Sequence, residues 1–157
     1  MGGSIEARIV ELGLELPPPL PAFASYVTSA RAGDLLFLSG HGPVRSDGEL
    51  IVGKVGRDLD VPAAREAAAL VALNVLATIK GAIGELDRVR RFVKVLGMVN
   101  STPDFTETPE VVDAFSDLIT EVFGDRGRHA RSAVGVSTLP MGIPIEVETI
   151  VELEPGA

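Results

Sequence analysis

The segment FVKVLGMVN, residues 92–100, constrains the fold most strongly because it reads as a strand with two apolar faces. Its apolar residues fall into two alternating sets. These are Phe92, Leu96 and Met98 on one side, and Val93, Val95 and Val99 on the other. A strand of this kind is typical of the interior of a sheet that is covered on both faces. Any fold for this chain must therefore supply two covering layers.

One helix is predicted before this strand in the sequence, and a second helix is predicted after it. Asp60 is a suitable N-cap, Pro62 suits a first helical turn, and an alanine- and leucine-rich run continues to Gly84. A second amphipathic pattern begins at Thr108 and ends before Gly124. The apolar stripe of each pattern predicts packing against a sheet.

The remaining apolar segments predict further strands. Residues 25–40 read as two strands around the turn RAGD, and residues 51–56 as a short strand. Residues 130–153 read as two antiparallel strands joined by a turn near LPMG. The predicted fold is an α+β sandwich in which two helices cover one face of a mainly antiparallel sheet. We expect one domain over residues 1–157, in which residues 1–23 form an N-terminal arm with a proline-rich connector.

Two helices cover only one face of such a sheet, whereas the strand at 92–100 needs cover on both. We therefore expect a second copy of the chain to cover the other face.

The composition excludes several classes of function. The net charge is −8, which disfavours phosphate backbones and anionic membranes, so we expect neither nucleic acid nor a membrane as a partner. Cysteine is absent and there are two histidines, so no thiol nucleophile is available and we expect no metal site. The first residues lack the apolar core of a signal peptide, and no run approaches about 20 apolar residues, so we expect a cytoplasmic protein.

Alternation in the predicted final hairpin assigns its side chains to faces. The larger apolar residues are expected to face the helices: Val134, Val136, Ile145, Val147 and Val151. The small and charged residues are then expected on the opposite face: Arg131, Ala133, Gly135, Glu146, Glu148 and Glu152. That second set is consistent with the floor of a ligand pocket, but the residues alone favour a structural ion pair between Arg131 and Glu148, within the chain or across a subunit contact.

Four segments of the sequence form a recognisable set: YVTSARAGDLLFLSGHGPV, a segment from ALNVLATIKGAIG to MVNSTPDF, HARSAVGV, and LPMGIPIEVETIVE. Together they resemble the RidA/YjgF family of imine and enamine deaminases. The resemblance implies a chorismate-mutase-like (ferredoxin-like) fold and a homotrimer with ligand clefts between subunits. It also implies hydrolysis of small 2-imino or enamine carboxylates to ammonia and a 2-oxo acid, with no cofactor.

The resemblance also implies roles for individual residues. Arg131 is expected to hold the substrate carboxylate by a bidentate pair, and Glu148 to position the attacking water. Tyr26, Ser39 and Gly40 are expected to line the cleft.

Two further positions border the same cleft and depart from the family pattern. His41 stands where many members have glutamine, and Ala133 where several have cysteine. The residues themselves leave simpler interpretations open: Tyr26 suits a subunit contact, and His41 suits an ordinary loop position.

Two other functions compete with deamination. One is a trimer that binds small carboxylates without transforming them. The other is RNA cleavage, since parts of the family carry the name endoribonuclease. RNA cleavage ranks last because a chain with charge −8, one tyrosine and no tryptophan has neither a basic track nor a stacking platform.

Overall fold

The computed structural model describes residues 3–21 and 24–156, so residues 1, 2, 22 and 23 of the predicted arm lie outside the described residues. The described chain forms three helices and five strands. In order they are α1 (Ser4–Glu11), β1 (Ser29–Ala32), β2 (Leu35–His41), α2 (Val61–Ile83), β3 (Val89–Asn100), α3 (Thr108–Phe123), β4 (Ala130–Val136) and β5 (Ile145–Leu153). Short 3₁₀ turns precede β3, follow α3 and precede β5.

The two predicted helices are confirmed. The Asp60 carboxylate accepts a hydrogen bond from the Ala63 N–H at 2.9 Å and caps α2, which ends at Gly84 with φ 87°. α3 ends at Gly124. α1 was not predicted: it lies in the segment assigned to the arm, and its residues Ile5 and Ile9 are buried in the core.

The sheet has the strand order β1-β2-β5-β3-β4. β1–β2, β2–β5 and β5–β3 are antiparallel, whereas β3–β4 is parallel. The sheet is therefore mixed, and the predicted hairpin of β4 and β5 is wrong because β3 lies between them. β3 takes this interior position because its apolar residues can be buried on both faces.

A bulge in β3 changes one of its predicted faces. Phe92 pairs with Val151 and Lys94 with Ile150, so β3 has one extra residue between these pairs. Phe92 consequently turns to the helix side, where its ring lies 5.1 Å from that of Phe123 at the end of α3. The alternation read from the sequence therefore holds from Lys94 onward.

The strand predicted at residues 51–56 is wrong. Only isolated bridges form here, between Val55 and both Leu59 and Ser101. Gly53 and Gly56 have φ angles of 135° and 87°, which interrupt an extended backbone.

α2 and α3 pack on one face of the sheet, and the opposite face carries partly exposed apolar side chains. Phe37 and Val134 on that face are 40% and 43% exposed. α2 has 23 residues and is long and apolar enough to cross a membrane, which the sequence analysis did not expect. Most of its central residues are buried in this fold, which is the position of a core helix.

Candidate functional site

A cavity of about 270 Å³ lies where β2 ends and β5 begins. Its lining combines apolar residues with a few polar ones. The lining residues are Leu20, Pro21, Tyr26, Thr28, Ser39, Gly40, His41, Gly42, Val44, Gly48, Leu50, Pro140, Met141, Ile143 and Glu146. Four of the residues predicted to contact substrate therefore meet here: Tyr26, Ser39, Gly40 and His41. Arg131, Ala133 and Glu148 are not among the lining residues.

A β-bulge at Ser39 and Gly40 shapes this cavity. Leu38 pairs with Thr149 and His41 with Val147, so β2 carries one more residue than β5 between these pairs. A hydrogen bond fixes the bulge to the preceding segment of the chain, because Ser39 Oγ donates to the Val27 carbonyl at 2.6 Å. This bond holds the end of β2 against the segment that carries Tyr26.

Gly40 leaves the space that the Glu146 side chain occupies. A Cβ built at residue 40 would lie 2.7 Å from Glu146 Cδ and 2.9 Å from Cγ, with Oε1 closer still. Real Cβ atoms do not approach other atoms this closely. A glycine is therefore required at this point for the Glu146 carboxyl to lie against the bulge.

Glu146 is the one carboxyl group among the described lining residues. Burial, and secondarily the negative charge of Glu148, raise the pKa of Glu146 above its usual value. A raised carboxyl pKa in a cavity is characteristic of groups that exchange protons with a ligand or water. Glu146 is the functional candidate that the sequence analysis did not select.

The His41 ring contributes to the core rather than to the open part of the cavity. The side chain is 4% exposed, Nδ1 donates to the Ser39 carbonyl at 2.7 Å, and Nε2 accepts from Thr78 Oγ1 on α2 at 2.8 Å. Burial lowers the pKa of His41, which keeps the ring neutral. The interpretation of His41 as a loop residue is wrong, because it ends β2 and links the bulge to α2.

Arg131 lies on the helix side of β4. Its Nη1 donates to Asp113 Oδ1 at 2.7 Å and to Ser116 Oγ at 3.1 Å, both on α3. The parallel register pairs Arg131 with Val95, which faces the same way and is fully buried. The expectation that Arg131 lies on the face away from the helices is therefore wrong.

The small residues of β4 explain this reversal. Ala133 and Gly135 lie on the same side as Arg131 and allow α3 to approach. Thr108 Oγ1 on α3 donates to the Ala133 carbonyl at 3.3 Å. A Cβ at residue 135 would lie 2.9 Å from Ser101 Oγ. The larger Val134 faces the opposite, partly exposed side, because β4 is an edge strand and its apolar residues need not face the core.

Glu148 is exposed on β5, on the sheet face opposite Arg131. The predicted Arg131–Glu148 pair is therefore wrong within one chain. Glu146 and Glu148 share a face by alternation, and in the strand pairing Glu148 lies opposite the bulge of β2. The Glu146 side chain nevertheless lies against Gly40 and lines the cavity, so side-chain contacts, which alternation does not reveal, distinguish the two glutamates. Across the described residues, no group of three or more His, Asp or Glu side chains could hold a metal ion.

Comparison with known proteins gives consistent matches over nearly the whole chain. A family model described as "YjgF/chorismate mutase-like, putative endoribonuclease" matches residues 6–153. Protein TCP17 of Trypanosoma cruzi is 42% identical over 152 residues, which cover 96% of this chain and 95% of that protein. Protein HMF1 of Saccharomyces cerevisiae is 30% identical over 129 residues, which cover 82% of this chain and 84% of that protein.

Solved structures share the fold. The crystal structure of Atu1372 from Agrobacterium tumefaciens has a TM-score of 0.88 and 44% identity, covering 96% of this chain and 94% of that one. A "putative endoribonuclease" from Shewanella oneidensis MR-1 has a TM-score of 0.92 and 34% identity, covering 96% of this chain and 100% of that one.

Proposed function

Because this chain belongs to the YjgF/chorismate mutase-like family, we propose that it is a hydrolytic deaminase of small 2-imino and enamine carboxylates. The observation that carries the proposal is the Glu146 carboxyl, whose pKa is raised, in a cavity bordered by Tyr26, Ser39 and Gly40. The products are ammonia and a 2-oxo acid.

The proposed reaction needs one water and one group that moves protons. Ionised Glu146 accepts a proton from a water, whose oxygen attacks the carbon of the C=N bond, and the protonated carboxyl then donates that proton to the nitrogen. An enamine substrate first tautomerises to the imine. The tetrahedral intermediate then collapses to the C=O product and releases ammonia. The imine carbon is already electrophilic, so positioning the water beside it accounts for most of the required catalysis.

The substrate carboxylate requires a cation, and the described lining of the cavity contains no lysine or arginine. Arg131 lies on the edge strand β4, three strand spacings from β2, or roughly 14 Å. We therefore place the active site in the clefts of a homotrimer, as the family resemblance implies, with Arg131 contributed by a neighbouring subunit. Asp113 and Ser116 engage Nη1, while Nη2 makes a long contact of 3.5 Å to the Pro109 carbonyl, so the fork retains capacity for a carboxylate.

Two glutamate variants test the catalytic assignment. Glu146→Gln removes the proton-accepting group, so hydrolysis of a 2-imino acid should fall by about 100-fold or more. Glu148→Gln is the matched control, since it neutralises an exposed glutamate two residues away on the same strand and should retain activity. Equal loss in both variants, or full activity in Glu146→Gln, would refute the role of Glu146.

The role of Arg131 is tested separately. Arg131→Lys keeps the charge but loses the bidentate fork, so KM for the imino acid should rise while the trimer persists in light scattering. An unchanged KM in an intact trimer would exclude Arg131 as the carboxylate clamp.

A second candidate function is binding of small carboxylates without turnover. Arg131 would hold the carboxylate as in the deaminase, but Glu146 would not move a proton. Calorimetric binding of 2-oxo acids together with imine hydrolysis at the solvent rate would select it. RNA cleavage is disfavoured, because the net charge is −8 and the cavity presents a carboxyl group instead of a cation.

A further inference from the structure

We infer that the cavity selects imino acids with an aliphatic side chain of about four carbons over those with a single methyl group. This inference deepens the proposed function and rests on it. Its basis is the apolar wall that surrounds the single carboxyl group of Glu146. That wall consists of Leu20, Pro21, Val44, Leu50, Met141 and Ile143.

Met141 is the most informative residue of this wall. Its φ of 58° is the one positive value found for a non-glycine residue in residues 3–21 and 24–156. Its side chain is nevertheless 66% exposed, in the turn Pro140–Gly142. Glycine adopts a positive φ without strain, so the backbone of this turn does not require an apolar side chain at residue 141. Backbone strain held at a cavity rim is typical of positions that contact a ligand.

The size of the cavity agrees with a ligand larger than a three-carbon acid. The volume of about 270 Å³ lies close to the range of roughly 300–1,000 Å³ that is typical of pockets for small organic ligands. The imine of pyruvate has six non-hydrogen atoms, whereas the imine of 4-methyl-2-oxopentanoate has nine. The smaller ligand would leave the apolar wall without contacts, and the larger one would bury its isobutyl group against it.

Binding of the two 2-oxo acids to the full-length protein tests the inference independently of turnover. By calorimetry, 4-methyl-2-oxopentanoate should bind at least about tenfold more tightly than pyruvate, since both share the same acid group and differ only in the apolar part. Met141→Gly, which suits the left-handed backbone, should reduce this ratio about threefold or more by weakening the binding of the larger acid. Val10→Ala, which shortens an apolar side chain 74% exposed on α1, is the matched control and should leave the ratio unchanged.

Three outcomes would overturn the inference. They are equal affinities for the two acids, binding of neither acid, and a Met141→Gly protein with altered assembly in light scattering but an unchanged ratio. The last outcome would assign Met141 to a subunit contact. Failure of imine hydrolysis alongside a clear preference for the larger acid would instead refute the proposed deaminase function and leave the selectivity established.

Discussion

Replacing Gly40 by alanine should disable the candidate site without unfolding the protein. A Cβ at residue 40 would lie 2.7 Å from Glu146 Cδ, whereas ordinary contacts begin at 3.4 Å. The carboxyl carbon must therefore move by 3.4 − 2.7 = 0.7 Å at least, and the carboxyl oxygen by more, since it lies closer. A displacement of about 1 Å of a positioned group costs about 100-fold in rate.

The stability cost should be small by comparison. Glu146 is half-buried and flexible, so it can rotate away at a cost of about 0.5–1.5 kcal/mol for an unfavourable rotamer. Urea unfolding should therefore detect at most a modest loss, while ammonia release from a freshly generated 2-imino acid should fall by about two orders of magnitude.

Gly135→Ala is the matched control for this substitution. Its Cβ would lie 2.9 Å from Ser101 Oγ, a hydroxyl that can rotate, and it lies on β4 at the other edge of the sheet. Its activity should stay within about twofold of the wild type. If Gly40→Ala retained wild-type kcat/KM, or if both variants lost activity equally, the assignment of Glu146 to the reacting centre would be wrong.

Three further predictions follow from burial. Glu146→Gln should raise the free energy of unfolding at pH 7, because the pKa of Glu146 is raised in the folded protein and its ionised form therefore disfavours folding. In urea unfolding at a series of pH values, this gain should shrink as the pH falls through the folded pKa and vanish below about pH 4.5. Gly97→Ala places a Cβ 2.6 Å from a methyl of the buried Val112, so chemical unfolding should show a loss of about 1–3 kcal/mol. His41→Gln should flatten the fall in stability below about pH 6.5, because the folded pKa of His41 is lowered and its protonation opposes folding; an unchanged pH profile would contradict this.

The residues of the candidate site were predicted from the sequence only in part, because side-chain contacts between distant strands select among residues that share a face. Tyr26, Ser39 and Gly40, which the resemblance implies as cleft residues, lie at one cavity. The resemblance selected Glu148, whereas the side chain that lies against Gly40 and lines the cavity is that of Glu146. Alternation assigns both glutamates to one face, so the side-chain contacts of the folded chain are needed to distinguish them.

Local patterns determined the parts of this protein that depend on neighbouring residues along the chain. The sequence predicted three such features: the cap at Asp60, the glycines that end α2 and α3, and the apolar content of β3. Each depends on only a few neighbouring residues. Tertiary structure decided the insertion of β3 between β4 and β5, and with it the side on which Arg131 lies. That choice rests on contacts between residues far apart in sequence, because β4 pairs with β3 along its edge and contacts α3 on its face, and no local periodicity predicts these contacts.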